Sequence, residues 1–147
     1  MNRTYGVDVY LHETDFFTFR GSQIAANLYG IRGYVQPEEP NKFLKGNEEL
    51  VFGNMKFEVL NAPGHAMGHV VYYNKEEGYV LNGDVIMRGS HGRTDLPGGN
   101  PAELRKTIFD TMFSLPDDTI VYTGHGPETT IGLEKQTNAA VVMRSLG

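Results

Sequence analysis

The amino-acid sequence predicts a single α/β (α+β) domain that covers residues 1–147. Segments with strand character alternate with helical segments, and several strands are joined by turns short enough for antiparallel pairing. A length of 147 residues fits one domain. Glycine makes up 18 of these residues, which is typical of a fold rich in tight loops.

Near the start of the chain we predict one strand, one helix and one loop. The alternation of residue types in Tyr5–Leu11 indicates a short strand. Thr14–Leu28 is expected to be helical in part, with a break near Gly21. Gln36–Asn47 carries the prolines and charges that are typical of a loop.

The middle of the chain is predicted to form β-structure. Glu49–Phe52 and Met55–Leu60 flank a Gly-Asn turn, which is a strong hairpin signal. Val70–Tyr73 and Tyr79–Leu81 flank a polar turn in the same way and form a second predicted pair. Two consecutive antiparallel pairs therefore predict a sheet in this part of the chain.

The last third of the chain is predicted to contain two helices and a strand. Asn100 can cap a helix that has Pro101 at its first position. Thr119–Tyr122 is predicted to be a strand and Leu133–Arg144 a final helix. One apolar face at helical spacing marks the first of these helices, formed by Leu104, Ile108, Met112 and Leu115.

The charge and composition argue against several kinds of partner. The 13 Lys and Arg against 18 Asp and Glu give a formal net charge of −5, so the chain lacks the basic surface that nucleic-acid phosphates require. No segment approaches the roughly 20 apolar residues of a membrane span. There is no cysteine, which excludes disulfides and Cys-based zinc sites. We therefore expect a cytoplasmic protein that binds neither nucleic acid nor membranes.

Four predicted loops combine glycine with polar side chains near strand ends, where functional groups are commonly presented. Three of them carry His65, Asp84 and His125, which are residue types that coordinate divalent metals. A lone loop histidine is more often a solvated surface residue, and Gly-Asp is usually a simple turn. On residue types alone, a metal centre and ordinary loops both remain open. The four loops are Ala62–His69, Gly83-Asp84, Gly89–Gly99 and Gly124–Pro127.

Taken together, the loops resemble the metallo-β-lactamase superfamily, in its glyoxalase II-type branch. Ala-Pro-Gly-His-Ala-Met-Gly-His at 62–69 resembles the Thr-Pro-Gly-His-Thr-x-Gly-His loop of that family. Gly-Asp at 83–84, Gly-Arg-Thr-Asp-Leu-Pro-Gly-Gly at 92–99 and Gly-His-Gly-Pro at 124–127 follow in the family's order. The resemblance implies a partial αββα sandwich, the C-terminal two-thirds of the fold, with a metal site at one edge.

The resemblance also implies roles for individual residues. His65 matches a ligand of a first metal ion, His125 a ligand of a second, and Asp84 the catalytic carboxylate that bridges both. The implied cofactor is one or two zinc ions, with iron or manganese as alternatives. The implied reaction is attack by a metal-bound hydroxide on the ester or thioester carbonyl of a small acyl substrate.

Four further residues are expected to support the site. The resemblance gives His69 a supporting part, and Arg93 and Asp95 are expected to pair structurally in a neighbouring loop. His91 is a candidate replacement ligand, supplied from a neighbouring chain, although a loop histidine without a role is the more common case. None of the four is expected to be a principal ligand within its own chain.

One departure from the family pattern is large. The family's His-x-His-x-Asp-His motif supplies four further ligands, and it does not occur in this sequence. The three remaining candidates could still form one site with open positions, since two His and one carboxylate suffice for catalytic zinc or non-haem iron. An exposed patch in place of the missing strands would favour a homo-oligomer, an element-swapped dimer, or pairing with a separate N-terminal piece.

Three functions remain open at this point. The first is a metal-dependent hydrolase of esters or thioesters, glyoxalase II-like. The second is a non-catalytic or weakly active truncated domain that self-associates and keeps a vestigial or single-metal site. The third is a mononuclear iron dioxygenase that uses the same two histidines and one aspartate.

Overall fold

A computed structural model describes residues 5–145, with side chains described as far as residue 142. The chain separates into two units, Met1–Lys45 and Gly46–Gly147. The expectation of one domain over residues 1–147 stays a prediction. None of the helices within residues 5–145 has the length and hydrophobicity of a membrane-spanning segment.

The first unit contains a short parallel strand pair and one long helix. Strand β1 (Tyr10–His12) pairs in parallel with β2 (Lys42–Leu44), so that Tyr10 lies opposite Lys42. A single 3-10 turn at Glu13–Asp15 leads into helix α1 (Phe16–Leu28). The rings of Phe16 and Phe43 are nearly perpendicular, with their centroids 5.2 Å apart, and this contact packs the helix on the strand pair.

Three predictions for this unit are corrected. The strand expected over Tyr5–Leu11 forms only at Tyr10–His12, because only those residues have a hydrogen-bonding partner strand. That partner lies inside Gln36–Asn47, which was expected to be entirely a loop. The expected break near Gly21 does not occur, and helix α1 runs through it. A glycine inside a helix costs about 1 kcal/mol relative to alanine, and neighbouring turns can offset this.

The second unit is built on a six-stranded mixed sheet. Its strands are β3 (Glu49–Phe52), β4 (Met55–Asn61), β5 (Val70–Asn74), β6 (Tyr79–Gly83), β9 (Ile120–Thr123) and β10 (Thr129–Thr130). They lie in the order β10-β9-β6-β5-β4-β3. Both predicted hairpins are confirmed, and so is the mixed α/β class. Neighbouring strands are antiparallel except β6 and β9, which are parallel. A separate two-stranded hairpin joins β7 (Ile86–Met87) to β8 (Ser90–His91).

Helices cover one face of this sheet. Helix α2 (Pro101–Lys106) starts at Asn100, whose Oδ1 accepts hydrogen bonds from two backbone amides at 3.0 and 3.2 Å. It continues as a π-helical turn and then a 3-10 turn up to residue 114. The predicted apolar face is confirmed, since all four of its residues are buried: Leu104, Ile108, Met112 and Leu115.

The last predicted helix, Leu133–Arg144, is two helices. Helix α3 (Ile131–Thr137) ends at Asn138, where the backbone is extended, and α4 (Ala139–Ser145) follows. Asn138 is fully buried, and its Oδ1 accepts a hydrogen bond from the Ala140 amide at 3.0 Å. The residue therefore interrupts one helix and caps the next, although neither a proline nor a glycine marks the boundary in the sequence.

The other face of the large sheet carries a row of aromatic rings. The ring centroids of Phe57 and Tyr79 lie 6.1 Å apart, and those of Tyr79 and Tyr122 lie 5.6 Å apart. Leu81 and Tyr122 on the same face are each 42% exposed. The expected self-association stays a prediction.

Candidate functional site

The three candidate metal ligands follow strands that run in the same direction. Strand β4 is antiparallel to β5, β5 is antiparallel to β6, and β6 is parallel to β9. The C-terminal ends of β4, β6 and β9 therefore lie at one edge of the sheet. His65, Asp84 and His125 stand in the loops that leave these ends, which brings together residues 19 and 41 positions apart in the sequence.

The carboxylate of Asp84 lies between the two imidazoles. His125 Nδ1 is 2.9 Å from Asp84 Oδ1, and His65 Nε2 is 3.7 Å from Asp84 Oδ2. Each imidazole thus meets a different carboxylate oxygen. The side chains of His65 and Asp84 are three-quarters buried or more, while that of His125 is 76% exposed. All three predicted residues converge, and the cluster opens to solvent on the His125 side.

A backbone carbonyl sets the orientation of the His65 ring. His65 Nδ1 donates a hydrogen bond to the carbonyl oxygen of Arg93 at 2.9 Å. Because a carbonyl can only accept, Nδ1 carries a proton. In the neutral ring the lone pair then lies on Nε2, the nitrogen that faces Asp84. This is the arrangement by which proteins orient metal-binding histidines.

His69 supports the loop that carries the carboxylate. Its Nε2 accepts a hydrogen bond from the backbone amide of Asp84 at 3.3 Å, and its ring meets that of His65 edge to face at 5.9 Å. Gly83 has φ of +57°, and a Cβ there would lie 2.8 Å from His69 Nε2. His69 therefore contacts the backbone of the residue that carries the carboxylate.

Two further glycines keep side chains away from the cluster. A Cβ on Gly124 would lie 2.4 Å from Asp84 Oδ1. A Cβ on Gly92 would lie 2.0 Å from the Asp84 carbonyl oxygen and 3.2 Å from His65 Nδ1. Glycine is therefore required at both positions, because any larger residue would push into the groups around the carboxylate.

Asn82 is a site residue that the sequence analysis missed. Its side chain is fully buried, and its Nδ2 donates to the carbonyl oxygens of Ile86 and Gly83 at 2.7 and 3.0 Å. Its Oδ1 accepts from the Ile86 amide at 3.2 Å. Asn82 thereby clamps the turn that presents Asp84. The available signal was an asparagine at the end of an apolar strand, directly before Gly-Asp.

The remaining supporting candidates lie in the neighbouring loop. Arg93 donates two hydrogen bonds to the carboxylate of Asp95, at 2.7 and 2.6 Å, in an exposed bidentate pair. His91 Nδ1 donates to the Gly92 carbonyl oxygen at 3.0 Å, within its own loop. The three residues therefore form contacts inside the loop, and a role of His91 as a ligand to another chain stays a prediction.

The ion pair between Arg93 and Asp95 predicts that the Asp95 carboxyl group titrates at an unusually low pH. The guanidinium of Arg93 hydrogen-bonds the Asp95 carboxylate and lowers the pKa of that group to about 2. Because this pKa is below the value in an unfolded chain, the pair stabilises the fold above about pH 4, and that contribution disappears as pH falls towards 2. In an NMR titration the Asp95 carboxyl carbon should shift near pH 2, and near pH 4 after Arg93→Ala. A midpoint near 4 in the unaltered chain would contradict the pairing.

The donor chemistry of the cluster fits a metal ion, but its spacing fits only in part. Two imidazoles and one carboxylate form a set that zinc and non-haem iron accept. Ligand atoms on one tetrahedral ion lie roughly 3.4 Å apart, so the 3.7 Å gap at His65 is suitable and the 2.9 Å contact at His125 is too short. Accordingly, within residues 5–145 no three His, Asp or Glu side chains are arranged to hold an ion. Binding would have to replace the hydrogen bond from His125.

The family model and the named relatives that match this chain point to the same family. The family model described as "Metallo-beta-lactamase superfamily" matches residues 3–125. The chain is 36% identical to "Probable metallo-hydrolase YqgX" of Bacillus subtilis, over 91% of this chain and 64% of that protein. It is 33% identical to "Hydroxyacylglutathione hydrolase GloC" of Haemophilus influenzae, over 94% and 66%.

A solved structure agrees in fold. TTHA1623, determined in a di-iron-bound form, has a TM-score of 0.84 and 40% sequence identity, over 94% of this chain and 67% of that one. The chain spans about two-thirds of the length of the curated relatives it matches. The likeness therefore covers nearly all of this chain and a part of each relative.

Proposed function

This chain belongs to the metallo-beta-lactamase superfamily, and from that premise we propose that it acts as a metal-dependent hydrolase of ester or thioester bonds, glyoxalase II-like. One observation carries the proposal. The carboxylate of Asp84 lies between the imidazoles of His65 and His125, at 3.7 and 2.9 Å, on the open edge of the sheet. Two imidazoles and a carboxylate are donor types of catalytic metal sites, and one ion could bind all three once the hydrogen bond between His125 and Asp84 is replaced.

The residues that would hold the ion are His65, Asp84 and His125. A bound divalent ion would polarise a carbonyl group and make hydroxide available near neutral pH. Zinc, iron and manganese are all acceptable to these donors. The di-iron form of TTHA1623 is a reason to test iron alongside zinc.

The chain's own groups have separate tasks in this proposal. The Arg93 carbonyl holds the proton of His65 on Nδ1, so the Nε2 lone pair remains available for an ion. His125 Nδ1 shares a hydrogen bond with Asp84 Oδ1, and the exposed His125 ring can turn outward to release that oxygen. Gly92 and Gly124 leave the space around the carboxylate free of side chains. Together they offer one carboxylate and two imidazole rings as donors to the ion.

The thioester class of substrate is supported by one relative. The Haemophilus influenzae protein carries the name hydroxyacylglutathione hydrolase, which describes cleavage of an acylglutathione. We propose a small acyl thioester for the present chain on the basis of that likeness and of the donor set. A folded domain with a vestigial metal site is the alternative that the experiment must distinguish.

Metal analysis and an activity assay on the same preparation test this proposal. We expect the purified chain, loaded with zinc or iron, to hydrolyse an acylglutathione, and His125→Ala to lose both metal and turnover. His12→Ala is the control, because His12 bonds to Thr14 in the first unit. Metal binding and turnover that His125→Ala leaves unchanged would contradict the proposal. Neither metal nor turnover in the unaltered chain would favour the vestigial domain, and iron with oxygen uptake would favour a dioxygenase.

A further inference from the structure

A buried carboxylate lies outside the three-residue cluster. Glu134 on α3 is 0% exposed. Its oxygens accept hydrogen bonds from the Gly89 amide at 3.0 and 3.2 Å, from Thr129 Oγ1 at 2.6 Å and from Asn138 Nδ2 at 2.6 Å. All three partners are neutral donors. A carboxylate is retained in such a place only when its hydrogen bonds offset the cost of removing it from water.

These bonds hold the turn between β7 and β8. Gly89, at the tip of that turn, donates its amide to Glu134, and its carbonyl accepts from the Ala139 amide at 3.2 Å. Asn138 Nδ2 donates to the Ser90 carbonyl at 2.7 Å as well as to Glu134. Both the start of α4 and the end of α3 are thereby tied to this hairpin, with Glu134 at the centre of the bonds.

The hairpin leads directly to the group that orients His65. After β8 the chain passes through Gly92, whose amide donates to the Val85 carbonyl at 3.3 Å. The next residue, Arg93, presents the carbonyl that accepts from His65 Nδ1 at 2.9 Å. The backbone of Gly92 runs close to both Asp84 and His65, since a Cβ built on it would meet the Asp84 carbonyl oxygen and His65 Nδ1, and it joins the hairpin directly to Arg93. A shift of the hairpin would therefore move the hydrogen-bond acceptor of His65.

We propose that Glu134 is a positioning residue for His65, acting through the β7–β8 hairpin. By holding the turn at Gly89, it fixes the Arg93 carbonyl and so keeps the His65 proton on Nδ1. The use of that proton position for metal binding rests on the proposed function. The positioning itself is a property of the folded chain and can be measured without metal or substrate.

The test compares three variants of the full chain by NMR in the absence of metal. Glu134→Ala removes the acceptor, and Glu134→Gln keeps its shape, with a carbonyl for Gly89 and an amide that can donate to the Thr129 hydroxyl. Ile131→Val is the control, because it removes one buried methyl group from the same helix and no polar contact. The readouts are the ring ¹⁵N shifts of His65, which report its tautomer, and the exchange rate of the Gly89 amide hydrogen.

In the unaltered chain we expect the Nδ1–H tautomer of His65 and a protected Gly89 amide. Glu134→Ala should raise Gly89 exchange at least about 10-fold and give mixed His65 tautomers, as expected for loss of a charge-assisted hydrogen bond. Glu134→Gln should restore the tautomer in large part, while Ile131→Val should leave it unchanged. The proposal is overturned if folded Glu134→Ala keeps both wild-type signals, or if Ile131→Val produces the same tautomer change.

Should Glu134→Ala fail to fold, Glu134→Gln decides alone. In this variant the two signals should change together, so that a rise in Gly89 exchange accompanied by a rise in the minor His65 tautomer supports the proposal. A change in one signal without the other, or in neither, overturns it. Zinc titration then separates this inference from the proposed function. If the unaltered chain binds no zinc but the His65 tautomer still depends on Glu134, the positioning stands and the metal-dependent function falls.

Discussion

Replacing Asp84 with asparagine should abolish metal binding while leaving the fold intact. Asp84 is the carboxylate that faces both imidazoles, and the amide of asparagine has almost the same shape but carries no charge. We expect zinc affinity to fall by at least about 100-fold, the upper end of the loss seen when a group that merely orients a ligand is removed. Competition with a chromophoric chelator measures this directly.

Asp95→Asn is the matched control for this change. Asp95 lies in the loop beside the site and is paired with Arg93 through its exposed carboxylate. If the effect of Asp84→Asn were only a general loss of negative charge, Asp95→Asn would weaken zinc binding to a similar degree. Equal affinities for Asp84→Asn and the unaltered chain would remove Asp84 from the metal site.

Gly64→Ala should cause the largest loss of stability among single substitutions in the site loops. Gly64 has φ of +128°, and a Cβ there would lie 2.2 Å from the backbone nitrogen of Leu104. The residue also accepts a hydrogen bond from the Asn100 amide at 2.8 Å, so a shift of Gly64 would disturb the start of α2. We expect the free energy of unfolding to fall by about 2–4 kcal/mol, as measured by urea denaturation.

Gly126→Ala separates the two causes of that loss, which are the strain of a positive φ and the close contact of the new Cβ with Leu104. Gly126 also has a positive φ, of +84°, but nothing lies within 4 Å of the place where its Cβ would stand. Its substitution should therefore cost only the backbone strain, of order 1 kcal/mol. If the two substitutions cost the same, the close contact between Gly64 and Leu104 is not what requires glycine at position 64.

The helices and strands that could be predicted from the sequence are those whose signals lie within a few neighbouring residues. The hairpin of β3 and β4 follows from a Gly-Asn turn between two apolar runs, and the start of α2 follows from Asn100 and Pro101. The parallel pair of β1 and β2 could not be found in this way. Its partners, Tyr10 and Lys42, are 32 residues apart, and neither run carries a signal for the other.

The residues of the candidate site likewise divide into those with a local signal in the sequence and those without one. His65, Asp84 and His125 could be proposed because each is a metal-binding residue type in a glycine-rich loop at a strand end. Asn82 and Glu134 were missed because a polar residue in a sequence is ordinarily read as solvent-facing. Only the folded chain shows that both side chains are fully buried and hold the turns on which the site stands.

The most direct measurement is the X-ray absorption spectrum of the full chain loaded with zinc. Shared coordination by His65, Asp84 and His125 predicts the scattering of two imidazoles and at least one carboxylate oxygen, and His125→Ala should reduce the imidazole count from two to one. A spectrum with oxygen neighbours alone, or one that His125→Ala leaves unchanged, would mean that these three side chains do not share a metal ion.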